Sequence, residues 1–216
     1  MISINDYKQN PCRLSSLHYW KMKSFKIQDN ITVVHDEDYD GSLHKSQTDT
    51  LFFRLKHPLI SIQDPSLNAN FEFKNVDTTC IDDLKGVVDI INKSYTHIQV
   101  NLDTVISWTK SAVFDEKLWV FIVDRQTQNV AALGIGERDI KVREGMLEWI
   151  QVLSEYRGQK LGQAIVNKLL ILLSDCDFVT VSGEVDNKTN PERLYRKCGF
   201  EGNDIWHIIK TKNVLL

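Results

Sequence analysis

A basic, glycine-containing loop between a buried strand and an amphipathic helix is the feature that most constrains this sequence. The apolar run that ends at Val152 leads into Arg157, Gly158 and Lys160, and the helix that follows repeats apolar residues every three or four positions. Unpaired N–H groups and the positive end of the helix dipole meet where such a helix begins. The arrangement predicts a site for pyrophosphate or another anion.

Periodicity on either side of this loop predicts the order of elements. Residues 71–216 read as strand, two helices, two or three strands, helix, strand, helix and strand, a mixed α/β domain of roughly 140 residues. Asn190 followed by Pro191 predicts a helix start, and Gly199 predicts its end. Thr79 and Asp82 stand in capping-box positions before the first helix of this domain.

The first 70 residues are less regular. Two short apolar runs, at 31–34 and 51–55, flank the polar stretch 35–50, which predicts a loop. The segment from Ser15 to Phe25 is too aromatic for a disordered tail and predicts packing against a larger body. We therefore expect an N-terminal extension of residues 1–70 packed on a main domain of residues 71–216. The extension would cap a pocket, complete the sheet or form the surface of a homodimer.

Charge and hydropathy argue against two classes of partner. A formal net charge of -3 gives no general attraction to nucleic acid. No run approaches the roughly 20 apolar residues that cross a bilayer, and residues 1–9 lack the basic and apolar regions of a signal peptide. We expect a cytoplasmic protein with no nucleic-acid or membrane partner.

Cysteine and histidine spacing indicates no metal site. The cysteines form no CxxC pair, which favours reduced thiols over a zinc site or a disulfide scaffold. The histidines show no spacing typical of metal ligands, so we expect no metal. These residues are Cys12, Cys80, Cys176, Cys198, His18, His35, His44, His57, His97 and His207.

Two motifs resemble the signatures of the GNAT superfamily, the GCN5-related N-acetyltransferases. Residues 157–162, Arg-Gly-Gln-Lys-Leu-Gly, are similar to its R/Q-x-x-G-x-G/A motif, and residues 190–200 resemble its short helix ending in L-Y-x-x-x-G-F. The resemblance covers residues 71 to the C terminus. It implies the acyl-CoA N-acyltransferase fold, a mixed, mostly antiparallel central sheet flanked by helices. Residues 1–70 resemble extensions of some bacterial members.

The resemblance implies acetyl-CoA as cosubstrate, with main-chain groups holding it. Pantetheine would bind the strand before the loop, pyrophosphate would rest on the loop amides, and an asparagine before the last helix would contact the cofactor. Lys160 departs from the family's usual glycine, and its side chain would either crowd the phosphates or add a contact. Asn190 competes with Asn187 for the asparagine position, although a helix cap suits Asn190 better. The implied cofactor-binding residues are Ile150, Gln151, Val152, Arg157, Gly158, Gln159, Lys160, Leu161, Gly162, Gln163 and Asn187.

Three residues are candidates for the chemistry. Tyr195 matches the family tyrosine that protonates the leaving thiolate, although a buried tyrosine also serves packing. Glu148 is the first candidate for the base, and strand alternation places it on the same face as Ile150 and Val152. A buried glutamate needs either a salt bridge or a function. Glu184 is the second candidate, or simply a solvated strand end.

The function that these features imply is direct transfer of an acetyl group from acetyl-CoA to a primary amine. The acceptor is an unidentified small molecule or peptide, and residues 91–110 together with part of the extension would line its site. One alternative is a non-catalytic acyl-CoA-binding or regulatory module in which Lys160 impairs turnover. Another is an interaction protein that uses the aromatic N-terminal segment and binds no cofactor.

Overall fold

The computed structural model describes residues 2–24, 26–43, 47–95 and 98–211. Its helices are α1 (Ile4–Gln9), α2 (Pro11–Leu14), α3 (Tyr19–Ser24), α4 (Ile81–Ser94), α5 (Leu102–Trp108), α6 (Leu161–Leu172) and α7 (Pro191–Lys197). Its strands are β1 (Ile31–His35), β2 (Thr48–His57), β3 (Phe71–Asn75), β4 (Trp119–Asp124), β5 (Val130–Asp139), β6 (Glu144–Val152), β7 (Phe178–Glu184) and β8 (Glu201–Lys210). No helix within these ranges has the length and apolar character needed to cross a bilayer.

The strands of the described ranges form one sheet in the order β1-β8-β2-β7-β6-β5-β4-β3. Neighbouring strands are antiparallel everywhere except at β6 and β7, which run parallel. α6 bridges those two strands as a crossover connection. The predicted fold, a mixed and mostly antiparallel sheet flanked by helices, is confirmed.

The N-terminal region is built into this sheet. β2 lies between β7 and β8 and pairs with both, and β1 covers the outer edge of β8. The run at 51–55 is apolar because a central strand is covered on both faces. Completion of the sheet is thus one role of the extension, whereas the division of the chain at residue 70 stays a prediction. Phe25 lies outside the described residues.

Helices cover both faces of the sheet. α6 and α7 pack on one face, where α6 buries Leu161, Ile165 and Leu169. α4 and α5 cover β4, β5 and β6 on the other face, and α1 to α3 cover the part of that face around β7. Gly134 lets α6 approach closely, since a Cβ there would lie 2.7 Å from Ile165 Cγ1. Each large side chain buried in these cores contributes about 1.5–3 kcal/mol.

Local signals predicted both ends of α7, with Gly199 following its last turn at a φ of 92°, but they failed at the start of α4. Asn190 caps α7, where its Oδ1 accepts a hydrogen bond from Arg193 N at 3.2 Å. The predicted capping box at α4 is wrong, because Cys80 occupies the cap position without a side-chain hydrogen bond. Thr79 instead donates its hydroxyl to Asp77 Oδ1 at 2.6 Å, which stabilises the preceding turn.

Candidate functional site

A wedge opens in the sheet between β6 and β7. The two strands pair from Glu144 and Phe178 to Leu147 and Val181, and the pairing stops there. The remainder of β6 pairs only with β5, and the remainder of β7 pairs only with β2. Main-chain groups that face the wedge are therefore available to a ligand.

The loop after β6 ends in an unusual backbone conformation at Lys160. Its φ of 62° lies in the left-handed region, as does the φ of 83° at Gly158. A residue with a Cβ pays about 1–2 kcal/mol for this conformation, which explains the preference for glycine at the position. The first intrahelical bond of α6 runs from Ala164 N to Lys160 O at 3.0 Å, so the amides of residues 161–163 lack helical partners.

The predicted phosphate-loop residues lie together at this helix start. Arg157 is exposed and donates its Nε to the carbonyl of Val152 at 3.3 Å. Gln163 donates its side-chain amide to Gln63 Oε1 at 2.8 Å, so a segment that follows β2 also borders the loop. These contacts leave the cofactor role of the loop a prediction, with a geometry that suits an anion.

Tyr195 is buried among aromatic side chains near the wedge. Its ring lies 6.1 Å from that of Phe53 and 5.6 Å from that of Phe200. Burial, followed by the influence of Tyr95, Cys198 and Glu148, raises the pKa of Tyr195 above its usual range. The hydroxyl is therefore protonated at neutral pH, as a proton donor must be.

A β-bulge displaces Glu148 from the regular strand pattern. Ile135 pairs with Trp149 and Gly136 pairs with Leu147, so Glu148 is the extra residue on β6. Such a bulge redirects side chains and is common beside active sites. It lies immediately after the last pair between β6 and β7, at the apex of the wedge.

The bulge makes one sequence prediction wrong. Ile150 and Val152 pack against the core beneath α6, whereas Glu148 lines a cavity on the opposite face beside Trp149. Simple alternation had placed Glu148 on the face of Ile150 and Val152. The additional residue shifts the alternation by one position and reverses the face.

Glu148 is held by two side chains from the N-terminal region. Its Oε1 lies 3.1 Å from His18 Nε2 and 2.6 Å from Lys21 Nζ. Burial raises the pKa of Glu148, but His18 and Lys21 outweigh it and hold the pKa well below its usual range. The salt bridge expected for a buried glutamate is present, and the catalytic role of Glu148 stays a prediction.

Glu137 is a functional candidate that the sequence analysis missed. Burial and the neighbouring Glu148 raise the pKa of Glu137 to about 7, although Lys21 and His18 oppose them. Its Oε2 is buried and accepts no hydrogen bond from the residues that the structure describes. An acidic residue directly after the apolar run 130–136 was the available signal, the same kind that identified Glu148.

A buried hydrogen-bond network lies around Glu144, on the same strand as Glu148. Glu144 accepts hydrogen bonds from Tyr7 at 2.9 Å and from Thr180 at 2.6 Å, and Arg54 donates to Tyr7 Oη at 3.0 Å. Burial raises the pKa of Glu144, but His18, Arg54 and Thr180 reverse the effect and lower it. These contacts join β2 and α1 to β6.

A cavity of about 520 Å³ opens above Glu137 and Glu148. Four of the five tryptophans of the chain line it, namely Trp20, Trp108, Trp119 and Trp149. Lys21 and Lys110 also reach it. Residues 91–110, predicted to line an acceptor site, contribute through the end of α5 and the residues after it, while Thr96 and His97 lie outside the described residues. Use of the cavity by an acceptor stays a prediction.

Glu184 and Asn187 lie at the exposed end of β7. Glu184 is exposed, as expected for a solvated strand end. Asn187 Oδ1 accepts hydrogen bonds from the backbone N and the hydroxyl of Thr189, at 3.0 and 2.7 Å. Both functional assignments stay predictions.

Histidine, cysteine and acidic side chains form no shared metal-ligand arrangement within the described ranges. His44 and His97 lie outside those ranges, so the expectation of a metal-free protein stays a prediction.

Comparison with known proteins identifies a family model that matches part of this sequence and solved structures with a similar fold. Residues 115–202 match the model of the acetyltransferase (GNAT) domain. This part of the chain is a GNAT domain. The matched region includes the wedge, the loop before α6, and α7. β1 and β2 lie outside the matched region.

Several solved structures share the fold at low sequence identity. A GCN5-related N-acetyltransferase from Sphaerobacter thermophilus has a TM-score of 0.70 and 13% identity, covering 84% of this chain and 59% of its own. A second GCN5-related N-acetyltransferase, from Kribbella flavida, has a TM-score of 0.58 and 13% identity. The match covers 86% of this chain and 69% of the Kribbella chain. Ard1 from Thermoplasma volcanium has a TM-score of 0.52 and 15% identity. The match covers 66% of this chain and 97% of the Ard1 chain. The chain thus spans about three fifths of the Sphaerobacter protein.

Proposed function

We propose that this GNAT protein transfers the acetyl group of acetyl-CoA to a primary amine. The observation that carries the proposal is the wedge between β6 and β7, which joins two unlike sites. At its open end lie the free amides of α6, and at its apex lies Glu148 beside the aromatic cavity. A thioester held along the wedge would meet an amine held in the cavity.

The residues around the wedge fit acetyl-CoA, which supplies an acetyl group activated as a thioester. The main chain of residues 150–152 would bind the pantetheine arm, and the amides of residues 158–163 would bind the pyrophosphate. Arg157 and Lys160 are exposed beside that loop and add positive charge. The left-handed backbone at Lys160 keeps the loop in the form that glycine favours, so the lysine is compatible with binding.

Glu137 is the best-placed proton acceptor for the incoming amine. An ammonium group must lose a proton before nitrogen can attack a carbonyl, and a base with a pKa near the working pH is most effective. Glu137 meets this condition, whereas Glu148 is too weak a base because His18 and Lys21 stabilise its ionised form. Burial and the negative charge of Glu148 together keep the pKa of Glu137 high.

The proton balance of the transfer assigns a role to Tyr195. Glu137 takes the ammonium proton, the N–C bond forms and the C–S bond breaks. Tyr195 donates a proton to the leaving sulfur, and the second proton lost by the amine nitrogen restores Tyr195. The net products are an amide, coenzyme A and one proton. Positioning of the two reactants supplies much of the rate.

The rate should fall in acid as Glu137 becomes protonated. Its pKa is raised to about 7, so the ionised form is lost as the pH falls through that value. We expect kcat/KM for an alkyl amine to decrease about tenfold per pH unit below this point. The alkyl amine stays protonated between about pH 5 and pH 8, so its own ionisation does not change kcat/KM over this range.

A pH series of initial rates measures this, with Glu137→Gln as the test variant. In that variant, kcat/KM should no longer fall as the solution is made acidic. Glu116→Gln, at an exposed position, should keep the decrease. If kcat/KM of Glu137→Gln still decreases in acid, a group other than Glu137 accepts the ammonium proton.

A further inference from the structure

We propose that the tryptophan-lined cavity selects an acceptor in which a single ammonium group is carried on an aromatic body, as in an arylalkylamine. This inference rests on the proposed acetyl transfer and narrows its acceptor. It follows from the walls of the cavity, from the position of its unpartnered carboxylate oxygen and from the charges at its rim.

The walls of the cavity are indole rings held in place by one another. Trp108 stacks on Trp149 with ring centroids 5.4 Å apart and an interplanar angle of 20°. Trp119 meets Trp108 edge-on at 6.4 Å, and Tyr95 meets Trp149 edge-on at 6.0 Å. Rigid aromatic walls give a flat apolar group a large contact area at little cost in side-chain entropy.

The carboxylate that meets the ammonium group is Glu137. Glu148 is engaged by His18 and Lys21, whereas Glu137 Oε2 has no hydrogen-bond donor among the described residues. A buried carboxylate oxygen without a donor is costly, and an ammonium group would satisfy it. The amine would then lie beside the bulge at the apex of the wedge, where the thioester must arrive.

The remaining charges disfavour a polycation. Lys21 is paired with Glu148, but Lys110 also lines the cavity, so a second ammonium group on the acceptor would meet the positive charge of Lys110. Like charges brought together at an interface are unfavourable, and indole walls provide no hydrogen-bond acceptor to offset them. A single positive charge on an apolar body is the combination that these groups accept.

The N-terminal region forms one wall of the cavity. Trp20 and Lys21, both on α3, line the cavity together with residues that follow α5. Lys21 of α3 also pairs with Glu148, so this wall contacts the acidic residues directly. Residues outside the matched GNAT region thus form part of the proposed acceptor site.

Tryptamine and spermidine are the probes that separate these chemistries. Calorimetry of the full chain saturated with coenzyme A measures amine binding without turnover, and initial rates with acetyl-CoA follow. We expect tryptamine to bind at least about tenfold more tightly than spermidine and to be the better substrate. Trp108→Leu should weaken tryptamine about tenfold. Trp206→Phe, which removes an indole outside this cavity, should leave tryptamine binding unchanged.

The outcomes separate this inference from the proposed function. Spermidine binding as tightly as tryptamine, with coenzyme A bound, overturns the aromatic-acceptor inference and leaves acetyl transfer standing. Equal losses of tryptamine binding in Trp108→Leu and Trp206→Phe also overturn it, because the cavity would then have no special part. Failure of coenzyme A itself to bind overturns the proposed function.

Discussion

Replacing Tyr195 by phenylalanine is expected to lower kcat by about 100-fold or more while the Kd for acetyl-CoA changes by less than about twofold. The substitution removes only the hydroxyl, so the ring keeps its contacts with Phe53 and Phe200. Expulsion of a thiolate without a proton donor is slow, whereas the proposed binding of acetyl-CoA depends on the main chain of the wedge and loop. Steady-state rates and calorimetry on the same preparation measure both quantities.

Tyr39→Phe is the matched control for this prediction. The Tyr39 ring stacks on His207 at 3.7 Å, away from the wedge, and its variant should retain full activity. A Tyr195→Phe enzyme with unchanged kcat would show that Tyr195 serves packing alone. Loss of acetyl-CoA binding in Tyr195→Phe would contradict the account differently, because it would place the hydroxyl in recognition of the cosubstrate.

Replacing Arg54 by methionine is expected to lower the free energy of unfolding by about 3–5 kcal/mol. Arg54 is buried, with its guanidinium 3.7 Å from Glu144 Oε1 and bonded to Tyr7. Removal of the cation leaves the carboxylate of Glu144 buried with less compensation, and the low dielectric of the interior makes that charge costly. Urea denaturation followed by far-ultraviolet circular dichroism gives the change.

A double variant and a surface variant complete this experiment. Adding Glu144→Gln to Arg54→Met removes the uncompensated charge and should recover at least half of the loss. Arg125→Met breaks the exposed pair with Glu72 and should cost about 1 kcal/mol or less. A loss in Arg54→Met no larger than that in Arg125→Met would mean that the buried network does not hold the N-terminal region to the sheet.

The elements around the GNAT motifs were predictable because their signals are local. The apolar spacing of α6 reports the face that it buries, and Asn190 with Pro191 marks the start of α7 through cap chemistry. The glycine-containing loop between a strand and a helix likewise indicates an anion site from its residues alone. Each of these signals depends on neighbours within a few residues.

The rest of the site depends on contacts between residues far apart in the chain. No local pattern shows that β2 is inserted between β7 and β8, or that Lys21 reaches Glu148 across 127 positions together with His18. The bulge at Glu148 is likewise a property of strand pairing, and one additional residue was enough to reverse the predicted face. Glu137 acquires its raised pKa only when it is buried with Glu148 beside it.

The central claim is that the wedge and the loop before α6 bind acetyl-CoA despite the lysine at position 160. Calorimetric titration of the purified protein with acetyl-CoA tests it directly. The account predicts a saturable isotherm with a Kd on the order of micromolar, since free amides at a helix start bind pyrophosphate whichever side chain occupies the left-handed position. An absence of heat at millimolar acetyl-CoA would contradict it and leave a GNAT fold that does not use this cosubstrate.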